Sequence, residues 1–278
     1  MTTRSNAKWR NQMLLLAVMA AFTLINLIPI LWGLIISLKQ PGDAFSIPPT
    51  LIFEPTLIFH REVWVEKGFL SFLWNSLVIA GGTVLISVPI GTLAAYGLAR
   101  TRSRHASSLL FGLLAVRMLP QILLALPFFV MARYLSLFDT YIMMILAMVA
   151  VNQPFTIWLM RSFFVDVPIE LDEAATIDGC NRWQAFWHVV LPAVRPGLAV
   201  TSLFSMLLAY NEFLFALILT GKNTKTLPVA IAEYGGEDIQ YWSISAAAAI
   251  GIMLPAVIFT LLVQRHLIRG LTFGAVKG

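Results

Sequence analysis

The apolar residues of this chain fall in long uninterrupted blocks rather than at the spacing of an amphipathic helix. Residues 13–38, 68–99 and 239–264 contain no charged side chain. A bilayer core needs roughly 20 residues of helix at about 1.5 Å each, so each block is long enough to cross it. Shorter apolar blocks lie between them and bring the expected spans to six: 13–38, 72–98, 107–132, 140–160, 197–220 and 243–264. Lipid offers no partner for free backbone N–H and C=O groups, so these segments must be helices. The pattern predicts an all-α, polytopic membrane protein whose 278 residues form a single transmembrane domain.

Composition agrees with that class. The chain is 59% hydrophobic and 12% charged, with a mean hydropathy of +0.81, whereas charged residues make up about a quarter of a soluble domain. The basic start (Arg4, Lys8, Arg10) also fits a cleaved signal peptide. The 26 uncharged residues that follow exceed the usual 7–15-residue apolar region, so the first block is expected to stay as a span. One cysteine, Cys180, excludes an intramolecular disulfide framework and a cysteine zinc site. His60, His105, His188 and His266 are scattered, so no metal site is expected.

The net charge of +5 reflects orientation rather than nucleic-acid binding. With the N-terminus inside, the cytoplasmic segments hold Arg4, Lys8, Arg10, Arg100, Arg102, Arg104, Arg161, Arg182, Arg195, Arg265, Arg269 and Lys277. The outer segments hold Lys39, Arg61, Lys67, Arg133, Lys222 and Lys225. Twelve against six predicts both termini in the cytoplasm.

Three segments outside the expected spans are long: 39–71, 161–195 and 221–242, the last with Glu233, Glu237 and Asp238. There is no internal repeat and no G-x-x-x-x-G-K-[ST] phosphate loop, so no ATP site of that kind. Segment 161–195 carries the strongest signal. Asp166-Val167-Pro168, then Glu170, Asp172 and Glu173, is a helix start with acids near the positive end of the dipole. Gly179 is placed to stop that helix, and a second can run from 182 to 190 before Pro192. The expected product is a cytoplasmic helix–Gly–helix elbow with a small exposed face (Ala174, Ala175) and an aromatic one (Trp183, Phe186, Trp187). Aromatic clusters supply the anchors of interface hot spots.

Glu173-Ala174-Ala175, Gly179, Val189 and Leu191-Pro192 stand at the spacing of the EAA motif, and the chain resembles the permeases of binding-protein-dependent ABC importers. Val189 stands where Ile is commoner. Residues 210–217 (YNEFLFAL), Leu119-Pro120-Gln121, Leu227-Pro228-Val229 and the end 269–278 narrow the resemblance to the second permease subunit of maltose-type carbohydrate importers. Tyr210 stands where that subgroup often has Trp. The resemblance implies that the elbow is a coupling helix, with Glu173, Ala174, Ala175, Gly179, Leu191 and Pro192 as its residues. It also implies a second permease, two cytoplasmic ATPase subunits carrying ATP and Mg, an extracytoplasmic solute-binding protein and a sugar substrate. This chain would bind no cofactor and have no catalytic residue. A cytoplasmic tail over 265–278 would reach the ATPase pair.

Polar groups inside the expected spans are candidates for the translocation path, since ionisable residues in a bilayer are costly. Arg117 and Gln121 would share one face of the third span. Asn152 and Thr156 would do so on the fourth, while Asn211 and Glu212 lie toward the outer half of the fifth. Arg117 and Glu212 fit a structural ion pair as well as a path, and Asn152 fits a capped kink at Pro154. The alternative function is an ion-coupled secondary transporter, which would leave the elbow unexplained and usually shows repeated halves.

Overall fold

The computed structural model describes residues 2–44, 46–101, 104–233 and 239–273. Arg102, Glu237, Asp238 and residues 274–278 of the C-terminal segment lie outside the described residues. Among the described residues every regular element is helical, and the chain divides into two compact units.

The first unit comprises the described residues within 2–69 and 231–253. Its long helix α1 (Thr2–Leu38) is followed by the short helices α2 (Pro41–Ala44) and α3 (Ile58–Arg61) and a π-helical turn over Glu62–Glu66. The segment after α1 is folded: Lys39 is buried between the rings of Trp32 and Phe53, and His60 Nε2 lies 3.1 Å from Ser37 Oγ.

The second unit comprises the described residues within 70–230 and 254–273. It runs through α4 (Phe69–Arg100), α5 (Arg104–Arg117), α6 (Gln121–Tyr134) and α7 (Tyr141–Asp166). After these come α8 (Glu170–Ile177), α9 (Arg182–Ala185), a π-helical turn over Phe186–Val190 and α10 (Leu191–Ala193). The rest is α11 (Arg195–Tyr210) and α12 (Leu214–Leu219), while α13 (Leu227–Glu233) and α14 (Ile239–Phe273) each contribute to both units. Thr140 caps α7, its hydroxyl accepting from Met143 N–H. The core at one end of this unit joins Ala95 of α4 to Ile157, Met160 and Phe164 of α7 and to Phe186, Val190 and Val194 beyond α9.

Among the described residues, four helices are long and apolar enough to cross a membrane: Asn11–Leu38, Phe69–Arg100, Tyr141–Asp166 and Trp242–Gln264. The number rises to six if each of two bent pairs, 106–117 with 121–134 and 182–193 with 195–210, counts as one span. The expected third span, 107–132, is not one helix. It breaks at residues 118–120, where α5 and α6 meet at 85°. Pro120 has no N–H and disfavours helical backbone at Leu119, so the last turn of α5 closes with i→i−3 bonds from Met118 and Leu119 instead. The expected fifth span, 197–220, also breaks, at residues 211–213 between α11 and α12. The fourth runs past its expected end at 160 to Asp166, because Arg161 is tolerated within α7.

Candidate functional site

The segment after α7 makes a tight corner. α7 ends at Asp166 with Val167 extended, and α8 begins with Glu170, Asp172 and Glu173 in its first turn. Gly179 takes φ +89°, a left-handed conformation that glycine adopts without steric cost. Cys180 N–H then donates to Ala175 O at 2.9 Å and Gly179 N–H to Thr176 O at 3.1 Å. This pair is a Schellman motif, which satisfies the last carbonyls of α8. Two residues on, Asn181 and Gln184 form a capping box that starts α9. The expected second helix, 182–190, continues through its π-helical turn to Ala193 and meets α11 at 77°.

The corner is anchored to α4. Asp172 accepts a hydrogen bond from Tyr96 Oη at 2.5 Å and pairs with Arg100 at 2.8 Å. Arg100 Nη1 also donates to the carbonyls of Phe164 and Val167, so one guanidinium ties the end of α7 to the start of α8. The Tyr96 ring packs on Phe164 and on Phe186, with centroids 5.5 and 4.9 Å apart. An open cavity of about 590 Å³ lies beside this anchor, lined among others by Arg100, Asp172, Glu173, Thr176 and Arg182.

The exposed surface of the corner differs from the sequence expectation. Ala174 is exposed, but Ala175 is buried against the chain, and Phe186 belongs to the core rather than to an outer aromatic face. Glu173 and Ala174 remain outward, joined by Ile177 at 86% exposure and by Trp183 and Trp187. Leu191 and Pro192 are half-buried, Leu191 against the core.

The polar candidates of the expected spans separate into two groups. Arg117 and Gln121 lie on either side of the first break, so they do not share a helix face. Both are exposed, and the Arg117 guanidinium sits 5.1 Å from the Phe155 ring. At the second break Asn211 is exposed and its Nδ2 returns to Leu207 O at 2.9 Å. Glu212 is half-buried, and its carboxylate accepts from Phe215 N–H at 3.1 Å, which caps α12. Asn152 and Thr156, by contrast, are buried in the second unit. Thr156 Oγ1 lies 3.4 Å from Ser87 Oγ, and Gln153 donates to Ser87 O.

Three polar centres escaped the sequence reading. Asp172 looked like a helix-start charge and proves to be the anchor of the corner as well. Asn75, inside an apolar block, donates to the carbonyls of Asn223 and Lys225 and accepts from Tyr141 Oη. Asp139 accepts five hydrogen bonds from Gly221, Asn223 and Thr224. Burial opposes its ionisation, but the hydrogen bonds from Asn223, Thr224 and Gly221 outweigh it and hold the carboxyl below its ordinary range. Its available signal was an acid beside an N-cap threonine ahead of a long apolar helix.

Residues 87–273, which include both breaks and the whole corner, match the model of the binding-protein-dependent transport system inner membrane component family. The chain belongs to this family. As a family member it is an ABC transporter permease subunit of an inner membrane, a transport component rather than an enzyme. The permease is 38% identical to a probable ABC transporter permease protein, y4oR, of Sinorhizobium fredii over 91% of each chain. It is 37% identical to the trehalose transport system permease protein SugB of Mycobacterium tuberculosis, over 91% of this chain and 93% of that one. Its fold resembles a chain in the crystal structure of a bacterial ABC transporter involved in the import of the acidic polysaccharide alginate. The TM-score there is 0.72 at 22% identity, covering 95% of this chain and 98% of that one.

Proposed function

We propose that this permease forms half of the translocation path of an ATP-driven importer for a sugar or sugar derivative. A second permease would complete the path, two cytoplasmic ATPase subunits with ATP and Mg would drive it, and an extracytoplasmic binding protein would deliver the substrate. The observation that carries the coupling role is the anchored corner. A Schellman turn at Gly179 and the Arg100–Asp172–Tyr96 cluster hold α8 rigidly while Glu173, Ala174, Ile177, Trp183 and Trp187 stay outward. Force applied to that surface reaches α4 and α7 through one guanidinium and the aromatic core beneath it. The sugar class is supported by the trehalose permease at 37% identity.

In this reading six spans put both termini, residues 161–195 and the described part of the tail in the cytoplasm. The path runs past Arg117, Gln121, Asn211 and Glu212, which flank the two breaks. Asn152 and Thr156 then act through packing rather than by touching substrate. The test is Gly179→Val. A β-branched residue at positive φ is strained, by roughly 1–2 kcal/mol for the left-handed conformation alone. The variant should insert normally but lose about tenfold or more of ATP-driven uptake per assembled complex, or fail to retain the ATPase on purification. Normal uptake with normal ATPase recovery removes the coupling role.

A further inference from the structure

α12 has only six residues, too few to hold themselves as a helix. It packs on α6 and α7, with Phe128 and Phe215 rings 5.8 Å apart, yet both its ends are fixed by carboxylates from outside its own ladder. Glu212 caps the first turn. At the other end Asp139 acts twice. Its N–H donates to Leu219 O at 3.1 Å, and its side chain takes the N–H groups of Gly221, Asn223 and Thr224 together with the Thr224 hydroxyl and the Asn223 amide. Asp139 reaches this position with φ 57°, unusual for a residue other than glycine. A Cβ on Gly221 would stand 3.0 Å from the Asp139 carboxyl carbon, so the approach is as close as the backbone permits.

The far side of the same loop is tied to α4. Asn75 holds the carbonyls of Asn223 and Lys225, and Ser76 Oγ accepts from Leu227 N–H. Residues 221–227 are therefore pinned on two flanks, and α12 is pinned with them. Of the groups at the break, Asn211 lies only three residues before α12.

We infer that Asp139 is a positioning residue: by clamping loop 221–226 it sets the register of α12, and through it the break that carries Asn211 and Glu212. This rests on the proposed path. The clamp itself stands on contacts that do not depend on the substrate.

The experiment uses the complete transporter in a Cys180→Ser background, with Asn211→Cys as a reporter of the break. Asp139→Asn keeps the shape of the side chain but turns one acceptor into a donor facing N–H groups. It should change the rate of thiol labelling at position 211 by at least about fivefold, the scale of losing one ordinary hydrogen bond. With Asn211 intact, the same variant should raise the half-saturating substrate concentration about tenfold, with the amount of assembled complex unchanged. Thr224→Val removes a single donor and should move both readouts in the same direction by a smaller factor, which keeps the test decisive if Asp139→Asn fails to assemble. Lys222→Ala, exposed on the same loop, should leave both unchanged. Unchanged labelling and half-saturation in assembled Asp139→Asn or Thr224→Val complexes overturn the inference, as does an equal effect from Lys222→Ala. Absence of sugar uptake by the unmodified complex would count against the proposed function alone, because the labelling arm still judges the clamp.

Discussion

Asp172 shows how much one side chain can hold. It accepts a hydrogen bond from the Tyr96 hydroxyl and pairs with Arg100, and both partners of the ion pair keep under a fifth of their side-chain surface exposed. Removing it strands a mostly buried guanidinium that still spans two carbonyls. Asp172→Ala should therefore lower stability by about 2 kcal/mol, read as an earlier thermal transition of the detergent-solubilised complex. An unchanged transition would mean that Arg100 finds water at no cost. Glu212 makes a different case, since its carboxylate caps α12. Glu212→Ala should cost about 1 kcal/mol of stability, whereas Asn211→Ala, exposed and bonded only to its own helix, should cost less than half of that and reduce uptake instead. Equal stability losses at the two positions would contradict the division.

Asp139 adds a pH dependence of known sign. Its carboxyl ionises below its ordinary range in the folded chain, so its contribution is fully present above the unfolded value and disappears as pH falls through the folded one. Hydrogen-exchange protection of Gly221 and Thr224 N–H, corrected for intrinsic rates, should hold from pH 7 down to about 5 and be lost at either pH in Asp139→Asn. Loss of protection between pH 7 and 5 in the unmodified protein would reverse the assigned direction.

At the scale of elements, the blocks of apolar residues announced the helices, and the motif around Gly179 announced the corner. Both follow from local chemistry: charge-free length for a helix in lipid, and a glycine where the backbone turns left-handed. The breaks were harder to read. Pro120 lies in an apolar run, and Pro29, Pro89, Pro154 and Pro255 all sit inside helices that continue through them. Proline alone does not say which helices break. The second break has no proline at all. It exists because Asn211 and Glu212 satisfy backbone groups with their own side chains, an exchange that competes with the helical ladder. The faces of the corner were legible only in part, because nothing in the spacing says which alanine turns inward. Long-range partners such as Asn75 with residues 223 and 225 leave no spacing to find.

At the scale of the whole molecule, the long apolar helix α1 keeps Leu14, Leu16 and Phe22 largely exposed in the isolated chain. Such a surface belongs against lipid or another subunit. The proposed topology predicts that a cysteine introduced at Lys222 reacts with an impermeant thiol reagent in intact cells, while one at Ala174 does not, in a Cys180→Ser background. The opposite pattern would invert the orientation and detach the corner from the cytoplasm.

The most direct measurement of the account is a cross-link from the corner itself. Ala174 is exposed on α8, at the centre of the surface assigned to the ATPase. A photo-reactive group attached at Ala174→Cys in the assembled transporter should join the permease to its ATPase subunit, with a yield that changes when ATP is added. Cross-linking only to lipid or to the second permease, in a complex that still hydrolyses ATP, would contradict the coupling role of the corner.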